Sequence, residues 1–276
     1  MRSAAKDHAR ASQGTALVTG ASRGIGRAVG EALAARGWNV IGTCRNPRAI
    51  AAHDRIPGAR YFSLDLARRD SVEALLRKVK DVDVLVNNAG ASLIGPAEET
   101  PIEKVRELLD VNFINAARLT QAFLPGMRAR GRGAIIFIGS MKSELPSPFS
   151  SFYSAAKAAL RSFASCLRME VKEYGIRVSV VAPMYIRTTL PQEMQLASRS
   201  PYAAAVSRVN ESRDRMIANS AEPDVMARVV VKILGRRHPR SFYTAGNLAR
   251  AQAFMARHLP RWVVEAIMAR RFSLQG

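Results

Sequence analysis

Strand-like segments alternate with helical segments along most of the chain. Thr15–Thr19 and Ala134–Ile138 are short runs rich in apolar and β-branched residues, which is typical of buried parallel strands. Gly24–Arg36 and Ser151–Tyr174 have the length and patterning of helices. Because parallel strands are joined by right-handed crossovers, this alternation predicts a doubly wound α/β fold. We expect a single domain with a mostly parallel sheet of about seven strands and extra C-terminal helices.

The remaining predicted elements complete this pattern. Further strands are predicted over Asn39–Thr43, Arg60–Leu64, Val82–Asn87, Arg177–Val181 and Ser241–Thr244. Further helices are predicted from a Ser71 cap to Lys78, from Pro101 to Phe123 with Pro125 beyond the end, and over Pro223–Leu234, Asn247–His258 and Arg261–Phe272. Residues 1–13 are expected to be a disordered basic lead-in and residues 14–276 the domain, with 184–221 as a substrate loop or lid and 247–276 as C-terminal helices.

The charge of the chain constrains its partners. Lys and Arg number 42 against 22 Asp and Glu, a net charge of +20. These basic residues are spread out, without aromatic interleaving or zinc-ligand spacing, so neither nucleic-acid binding nor a metal site is predicted. The basic tail from Arg199 onward has two interpretations, a solvated helical face or a weak contact with an anionic membrane surface. Met1–Gln13 does not have the pattern of a secretory signal, and two cysteines make no disulfide framework. We therefore expect a cytoplasmic protein, peripheral to membrane if the tail binds lipid.

A glycine-rich turn follows the first predicted strand and opens the first helix. It reads Thr19-Gly-Ala-Ser-Arg-Gly-Ile-Gly26. Glycines let the backbone turn tightly and approach a pyrophosphate, while the helix N-terminus offers N–H groups to the anion. An ordinary tight turn is the alternative, but the strand–turn–helix context favours dinucleotide binding on a Rossmann-type fold.

Tyr153 and Lys157 lie four residues apart on a predicted helix, and so share one face. A nearby ammonium lowers the pKa of a phenol, which prepares the tyrosine to exchange a proton with a carbonyl or alcohol. The alternative is an exposed helical pair. Ser140 follows the apolar strand Ala134–Ile138 at its carboxyl end, where a hydroxyl can hold a substrate oxygen. Ser143 is its rival for that role.

These motifs together resemble the short-chain dehydrogenase/reductase superfamily, in its compact single-domain branch. The resemblance is strong over about Thr15 to Thr188, and is carried by Thr19–Gly26, Asp65, Asn87-Asn88-Ala89-Gly90, Asn112, Ser140, Tyr153-Ser-Ala-Ala-Lys157 and Pro183–Thr188. Among its members the chain looks nearest to the hydroxysteroid- and retinoid-type carbonyl reductases, partly through its C-terminal helices.

The resemblance implies a hydride-transferring oxidoreductase and assigns its site. The implied catalytic residues are Asn112, Ser140, Tyr153 and Lys157. The implied cofactor-binding residues are Gly20, Ser22, Arg23, Gly24, Ile25, Gly26, Arg45, Asp65, Asn88, Ala89, Gly90, Tyr153, Lys157, Pro183, Ile186 and Thr188. Asn112 is expected to distort its helix and to hold a water that links Lys157 to solvent. Met184 departs from the glycine that the family usually has, so its effect on the nicotinamide pocket stays open.

The end of the second strand indicates the coenzyme. An acidic residue there binds the ribose hydroxyls of NAD, whereas an arginine accommodates the extra phosphate of NADP. The chain has Arg45 and no carboxylate at this point, and Arg23 supplies a second cation in the glycine turn. We therefore predict NADPH, the alternative being two solvated surface arginines.

The substrate side is less defined. Met141–Phe152 and Pro191–Arg215 are expected to form walls and a lid rich in apolar residues, although each residue could equally belong to the core of the lid. This favours a bulky apolar carbonyl or alcohol, such as a steroid, retinoid or lipid-like compound. A 3-oxoacyl thioester is an alternative substrate, and a non-catalytic NADPH-binding regulatory protein is an alternative of another class. The helices Pro101–Phe123 and Ser151–Tyr174 predict a homodimer or homotetramer, because family members pair through them and both carry surplus apolar positions.

Overall fold

In the computed structural model, residues 13–188, 190, 192–246 and 249–272 are described, apart from the side chain of Arg250. Most of the predicted lead-in, and the start of the predicted helix at Asn247, lie outside these ranges. The strands, in chain order, are β1 (Thr15–Val18), β2 (Asn39–Cys44), β3 (Arg60–Ser63), β4 (Val84–Asn87), β5 (Ser92–Ile94), β6 (Gly133–Ile138), β7 (Ile176–Pro183), β8 (Gln192–Met194) and β9 (Phe242–Ala245).

Seven strands form one parallel sheet in the order β3-β2-β1-β4-β6-β7-β9. This confirms the predicted doubly wound α/β fold. The chain moves outward from β1 in one direction and then returns to add β4 on the other side, so the strand order reverses between β1 and β4. In such sheets the crevice at the carboxyl ends of the strands beside this reversal is where ligands bind.

Helices cover both faces of the sheet. They are α1 (Gly24–Ala34), α2 (Arg69–Lys78), α3 (Ile102–Leu109), α4 (Asn115–Ala129), α5 (Ser151–Glu170), α6 (Ala203–Ala218), α7 (Asp224–Leu234), α8 (Ala249–His258) and α9 (Arg261–Arg271). Alternate residues of each strand point to opposite faces. In β6, Ile135 and Phe137 pack in the core with Leu119 of α4, whereas Ile136 packs on the other face with Val29 of α1.

Two predicted helix boundaries are wrong. α2 begins at Arg69, and Ser71 lies inside it with its hydroxyl accepting the backbone N–H of Asp65 at 2.9 Å. Ser71 therefore stabilises the loop before the helix instead of capping it. α4 continues through Pro125 to Ala129. The hydrogen bond that a proline removes would have used the carbonyl of Gln121, an exposed residue, so water can satisfy that carbonyl.

The region predicted as a loop or lid contains ordered elements that the sequence pattern did not indicate. β8 pairs in parallel with β5, and α6 runs for 16 residues. α6 buries Val206 and Val209, a narrow stripe that leaves most of its sequence polar. The C-terminal helices pack on this lid, where Val264 and Met268 of α9 join Val209 in an apolar cluster. Among the described residues no helix is long and apolar enough to cross a bilayer.

Candidate active site

The glycine turn between β1 and α1 is clamped to the end of β4. The Thr19 hydroxyl accepts the backbone N–H groups of Asn88 and Ala89, both at 2.9 Å. The Asn88 amide in turn donates to the carbonyl of Thr19 at 2.8 Å and to that of Gly20 at 3.3 Å. A Cβ added at Gly26 would lie 2.2 Å from the Gly20 carbonyl oxygen, so only glycine fits this close approach. Asn88 therefore shapes the turn through its side chain.

The turn leaves an anion-binding surface open at the start of α1. Gly24 has a φ of +56°, and a Cβ there would point at the Thr188 side chain, 3.5 Å away across the cleft. Within the described chain no side chain caps this helix, and its first turn has no acidic residue. The first N–H groups of a helix attract negative charge. This cradle fits the pyrophosphate of a dinucleotide.

Arg23 and Arg45 both line the cleft and are exposed. Neither guanidinium forms an ion pair with any residue that the structure describes. Asp54, an acidic residue of the same cleft, is paired with Arg27. Asp65 also lines the cleft, and its Oδ1 accepts the backbone N–H of Ala67 at 3.0 Å, which stabilises the loop before α2.

Ser140, Tyr153 and Lys157 come together at the carboxyl end of β6. The Ser140 side chain lies close enough to the Tyr153 hydroxyl to act on its pKa. Lys157 Nζ donates to the carbonyl of Ile138 at 3.2 Å and lies 5.8 Å from the centre of the Tyr153 ring. Ser143 takes a different part, because its hydroxyl donates to the Ser140 carbonyl at 2.8 Å and its side chain lies outside the cleft lining.

Burial dominates the electrostatics of this trio. It raises the pKa of Tyr153 above its ordinary value, and the Ser140 side chain only partly opposes that effect. From the sequence, the neighbouring ammonium was expected to lower this pKa, and that direction is wrong. Removing the phenolate from water costs more free energy than the neighbouring groups restore. Burial also lowers the pKa of Lys157 to about 8.

Asn112 lies in a π-helical turn, Asp110–Ile114, between α3 and α4. Its amide donates to the carbonyls of Ala91 at 2.9 Å and Leu108 at 3.2 Å. Its Oδ1 is buried and has no hydrogen-bond partner among the described residues. A Cβ on Gly90 would lie 2.9 Å from this oxygen and 3.6 Å from Lys157 Nζ, so both atoms face one small space. The unpaired Asn112 Oδ1 beside the buried Lys157 amine fits the role that the resemblance implied for Asn112, which is to hold a water that links Lys157 to solvent.

A family model for the short chain dehydrogenases matches residues 14–199. The chain belongs to the short-chain dehydrogenase family. The resemblance drawn from the sequence motifs is thereby confirmed. Members of this family are oxidoreductases, and the comparisons support action on CH–OH and C=O groups.

This short-chain dehydrogenase has relatives of known structure and name. It is 37% identical over 211 residues to the 3-oxoacyl-(acyl-carrier-protein) reductase FabG of Escherichia coli, covering 74% of this chain and 86% of that protein. The crystal structure of a short-chain dehydrogenase from Streptomyces avermitilis matches with a TM-score of 0.80 at 32% identity, over 94% of this chain and 97% of that one. A metagenomic short-chain oxidoreductase in complex with NADP matches with a TM-score of 0.65 at 28% identity, over 84% and 96% of the two chains.

The end of β7 and the residues after it form part of the cleft wall in this short-chain dehydrogenase. Pro183, Ile186 and Thr188 all line the cleft. The Met184 side chain is buried in an apolar cluster with Met141 and Ala249. The next residue, Tyr185, has a φ of 46°, so the left-handed backbone conformation occurs one residue after Met184.

The part of the cleft beneath the lid, which we call the substrate end because the sequence places the substrate there, differs from the apolar pocket that the sequence suggested. Leu190 lines the cleft, but Leu145 is buried in the apolar cluster between the lid and α9, and Met194 is exposed. The structure adds residues that the sequence argument did not single out, namely Lys142, Gln192, Arg213 and Ile217. Of these four residues, only Lys142 could have been predicted from the sequence, because it follows Ser140 by two residues.

Proposed function

We propose that the protein is an NADPH-dependent reductase that converts a carbonyl group into a secondary alcohol. The observation that carries this proposal is the grouping of Ser140, Tyr153 and Lys157 at the end of β6, in the same cleft that the glycine turn lines. In this arrangement two hydroxyl groups reach one substrate oxygen, and an ammonium lies close to the group that must move a proton.

NADPH is proposed over NADH because two cations stand at the end of the cleft near β2. Arg23 and Arg45 are available to the 2′-phosphate. β2 ends at Cys44 and is followed by Arg45, so no carboxylate stands there for the ribose hydroxyls. The similar metagenomic oxidoreductase in complex with NADP supports this choice. NADPH supplies the hydride when bound.

The residues around the carbonyl are proposed to manage the proton. A raised pKa keeps Tyr153 protonated at neutral pH, the form that can donate to a carbonyl oxygen. Ser140 would hold the same oxygen while negative charge develops on it. Lys157 would bind the nicotinamide ribose, and Asn112 would hold a water that returns a proton through the lysine to the tyrosine.

The proposed substrate has a bulky, lipid-like body around its carbonyl. Leu190 and Ile217 provide apolar surface at the substrate end of the cleft. A 3-oxoacyl thioester is a second candidate, favoured by the similarity to FabG.

A regulatory protein that binds NADPH without turnover would have no need for the Ser140–Tyr153–Lys157 arrangement. Oxidation of NADPH, followed at 340 nm against steroid, retinoid, acyl and aromatic carbonyls, separates these functions, and binding without oxidation across the panel would favour the regulatory one.

We also propose a homodimer or homotetramer in the cytoplasm, built through the helices predicted over Pro101–Phe123 and Ser151–Tyr174, which correspond to α3 with α4 and to α5. Met169 of α5 is 72% exposed, and an interface formed through this helix would cover it.

A weak membrane contact is proposed for the C-terminal helices. Phe254 and Trp262 are 63% and 72% exposed, and lie among the exposed arginines Arg257, Arg261 and Arg270. Aromatic side chains among cations suit an anionic lipid surface. We expect cosedimentation with vesicles of phosphatidylserine and phosphatidylcholine, and its loss when Phe254 and Trp262 are both replaced by serine. Met194→Ser, at an exposed apolar residue of β8, is the matched control. Equal binding to pure phosphatidylcholine would contradict the electrostatic part of this contact.

A further inference from the structure

Two cations at the substrate end of the cleft have no part in the proposed reduction. They are Lys142, on the 3₁₀ turn Met141–Ser143, and Arg213, on α6 of the lid. Both line the same cleft as Tyr153. The pyrophosphate cradle and Arg45 lie at the opposite, dinucleotide end, so these two cations do not belong to the proposed phosphate sites.

Lys142 is held next to the groups that would bind the carbonyl oxygen. Its backbone N–H donates to Ser140 Oγ at 3.2 Å, and its ammonium donates to Ser150 Oγ at 2.7 Å. The same ammonium lies 5.7 Å from the centre of the Tyr153 ring. No carboxylate of the described residues forms an ion pair with it. A positive charge is therefore fixed beside the reacting end of a substrate.

Arg213 is largely buried and incompletely paired. Its side chain is 13% exposed, and its Nη2 lies 2.8 Å from Asp214 Oδ1. Its Nε and Nη1 are buried without a hydrogen-bond partner among the residues that the structure describes. Burying guanidinium N–H groups without acceptors is costly, so such groups in a cleft indicate a ligand that supplies the acceptors.

The charges of Lys142 and Arg213 influence the same part of the cleft. Burial, and then the charge of Arg213, lower the pKa of Lys142 to about 8. The pKa of Tyr185, which burial raises, is lowered in part by Arg271 and Arg213. Both side chains line one cleft, so their like charges repel each other, and an anion between them would be attracted by both.

We propose that Lys142 and Arg213 bind an anionic group of the substrate, a carboxylate or a phosphate ester, so that the enzyme reduces acidic carbonyl compounds. This proposal rests on the reductase function proposed above and narrows its substrate class. Leu190 and Ile217 line the same end of the cleft, so an amphipathic molecule with an apolar body and an anionic group fits the lining.

The test compares compounds that share one carbon chain but carry either an anionic or a neutral group at its end. For turnover, we would use 3-oxodecanoate against its methyl ester. For binding to the complex with NADP, we would use decanoate and decyl phosphate against decanol, measured by calorimetry. Decanoate and decyl phosphate distinguish a carboxylate site from a phosphate site. The variants are Lys142→Met and Arg213→Met, with Arg215→Met, an exposed arginine of the same helix outside the cleft, as the matched control.

We expect at least one of the two anions to bind about tenfold or more tightly than decanol, as befits a charge-assisted contact. Each cleft variant should remove most of that preference, and should leave the dissociation constant of NADPH and the binding of decanol within about threefold of wild type. Arg215→Met should behave as wild type. If 3-oxodecanoate is reduced, its kcat/KM should exceed that of the ester and lose this advantage in both cleft variants.

Equal binding of anions and decanol to the wild type would overturn the proposal. A loss of NADPH affinity in the two cleft variants would also overturn it, because the cations would then belong to the cofactor site. Failure of the reductase function gives a different result: the anions bind with the expected preference, but no carbonyl compound is turned over.

Discussion

The Ser140 side chain lies beside the Tyr153 hydroxyl at the junction between β6 and α5, where it partly offsets the rise that burial causes in the pKa of Tyr153. Ser140 follows the central strand, and Tyr153 stands in the first turn of α5. The two groups that would hold a substrate oxygen are therefore fixed by the sheet and by a long helix, both rigid elements. This arrangement allows the contribution of each hydroxyl to be measured without disturbing the fold.

Replacing Tyr153 by phenylalanine removes the proposed proton donor and retains the ring. We expect turnover to fall by at least about a hundredfold, the lower end of what a positioned general acid contributes. NADPH affinity and the free energy of unfolding should change little, because the packing volume is nearly conserved. Steady-state kinetics on a good substrate, with fluorescence titration of NADPH, check this. Ser140→Ala should also lower turnover and spare NADPH affinity. Near-normal turnover of Tyr153→Phe would move the proton-donor role to another group, with Tyr185 the first to test.

Arg45→Gln should weaken NADPH and leave NADH almost unchanged. The guanidinium would lose a charge-assisted contact with the 2′-phosphate, which we expect to cost about 1.5–3 kcal/mol of NADPH binding. Arg48→Gln is the matched control, because Arg48 is exposed on the next turn and lies outside the cleft lining. Titration of each variant with both coenzymes measures the difference. An equal loss for NADPH and NADH would show that Arg45 does not read the phosphate.

The stability of the protein without coenzyme should depend on pH through Lys157. Burial lowers the pKa of Lys157 from 10.5 to about 8, so at pH 8 and below the folded protein carries a buried ammonium at a cost in stability. Between these two pH values the unfolded chain binds more protons than the folded one, and the wild type therefore gains stability as the pH rises. Relative to Lys157→Met, that gain should reach about 3 kcal/mol at pH 10.5.

Urea unfolding at several pH values between 7.5 and 10.5 measures this gain. The pKa of Lys142 is also lowered by burial to about 8, but Lys142 is present in both proteins and cancels from the comparison. Lys172→Met, at an exposed lysine, serves as the control and should follow the wild type. Parallel curves for the wild type and Lys157→Met would contradict the burial of a charged amine.

The proposed oligomer predicts a specific effect at Met169. Light scattering at micromolar concentration should give a dimer or tetramer for the wild type. Met169→Glu should lower the mass toward that of one chain, because a carboxylate in an apolar interface loses its hydration. Phe254→Glu on α8, also at an exposed apolar residue, should leave the mass unchanged. A wild type that is monomeric would refute the oligomer.

Local patterns of the chain predicted much of the fold. The strands, the glycine turn and most helices depend on neighbours within a few residues, and so Thr15–Val18 and Gly24–Ala34 could be located from apolar periodicity and glycine spacing alone. Asn112 stood out because asparagine is a poor residue in the middle of a helix, and a π-helical turn lies there. α6 was missed because only a narrow stripe of it is buried.

The sequence by itself determined the fold class, the family and the region of the dinucleotide cleft, because these follow from short-range patterns that recur at fixed spacings. Tertiary structure alone decided which side chains meet in the substrate end. Leu145 packs in the apolar cluster between the lid and α9, and Arg213 of α6 lines the same cleft as Lys142 although 70 residues separate them in the chain. Burial also reversed the expected direction of the Tyr153 pKa shift. Contacts and desolvation of this kind depend on the packing of distant segments, which no local pattern records.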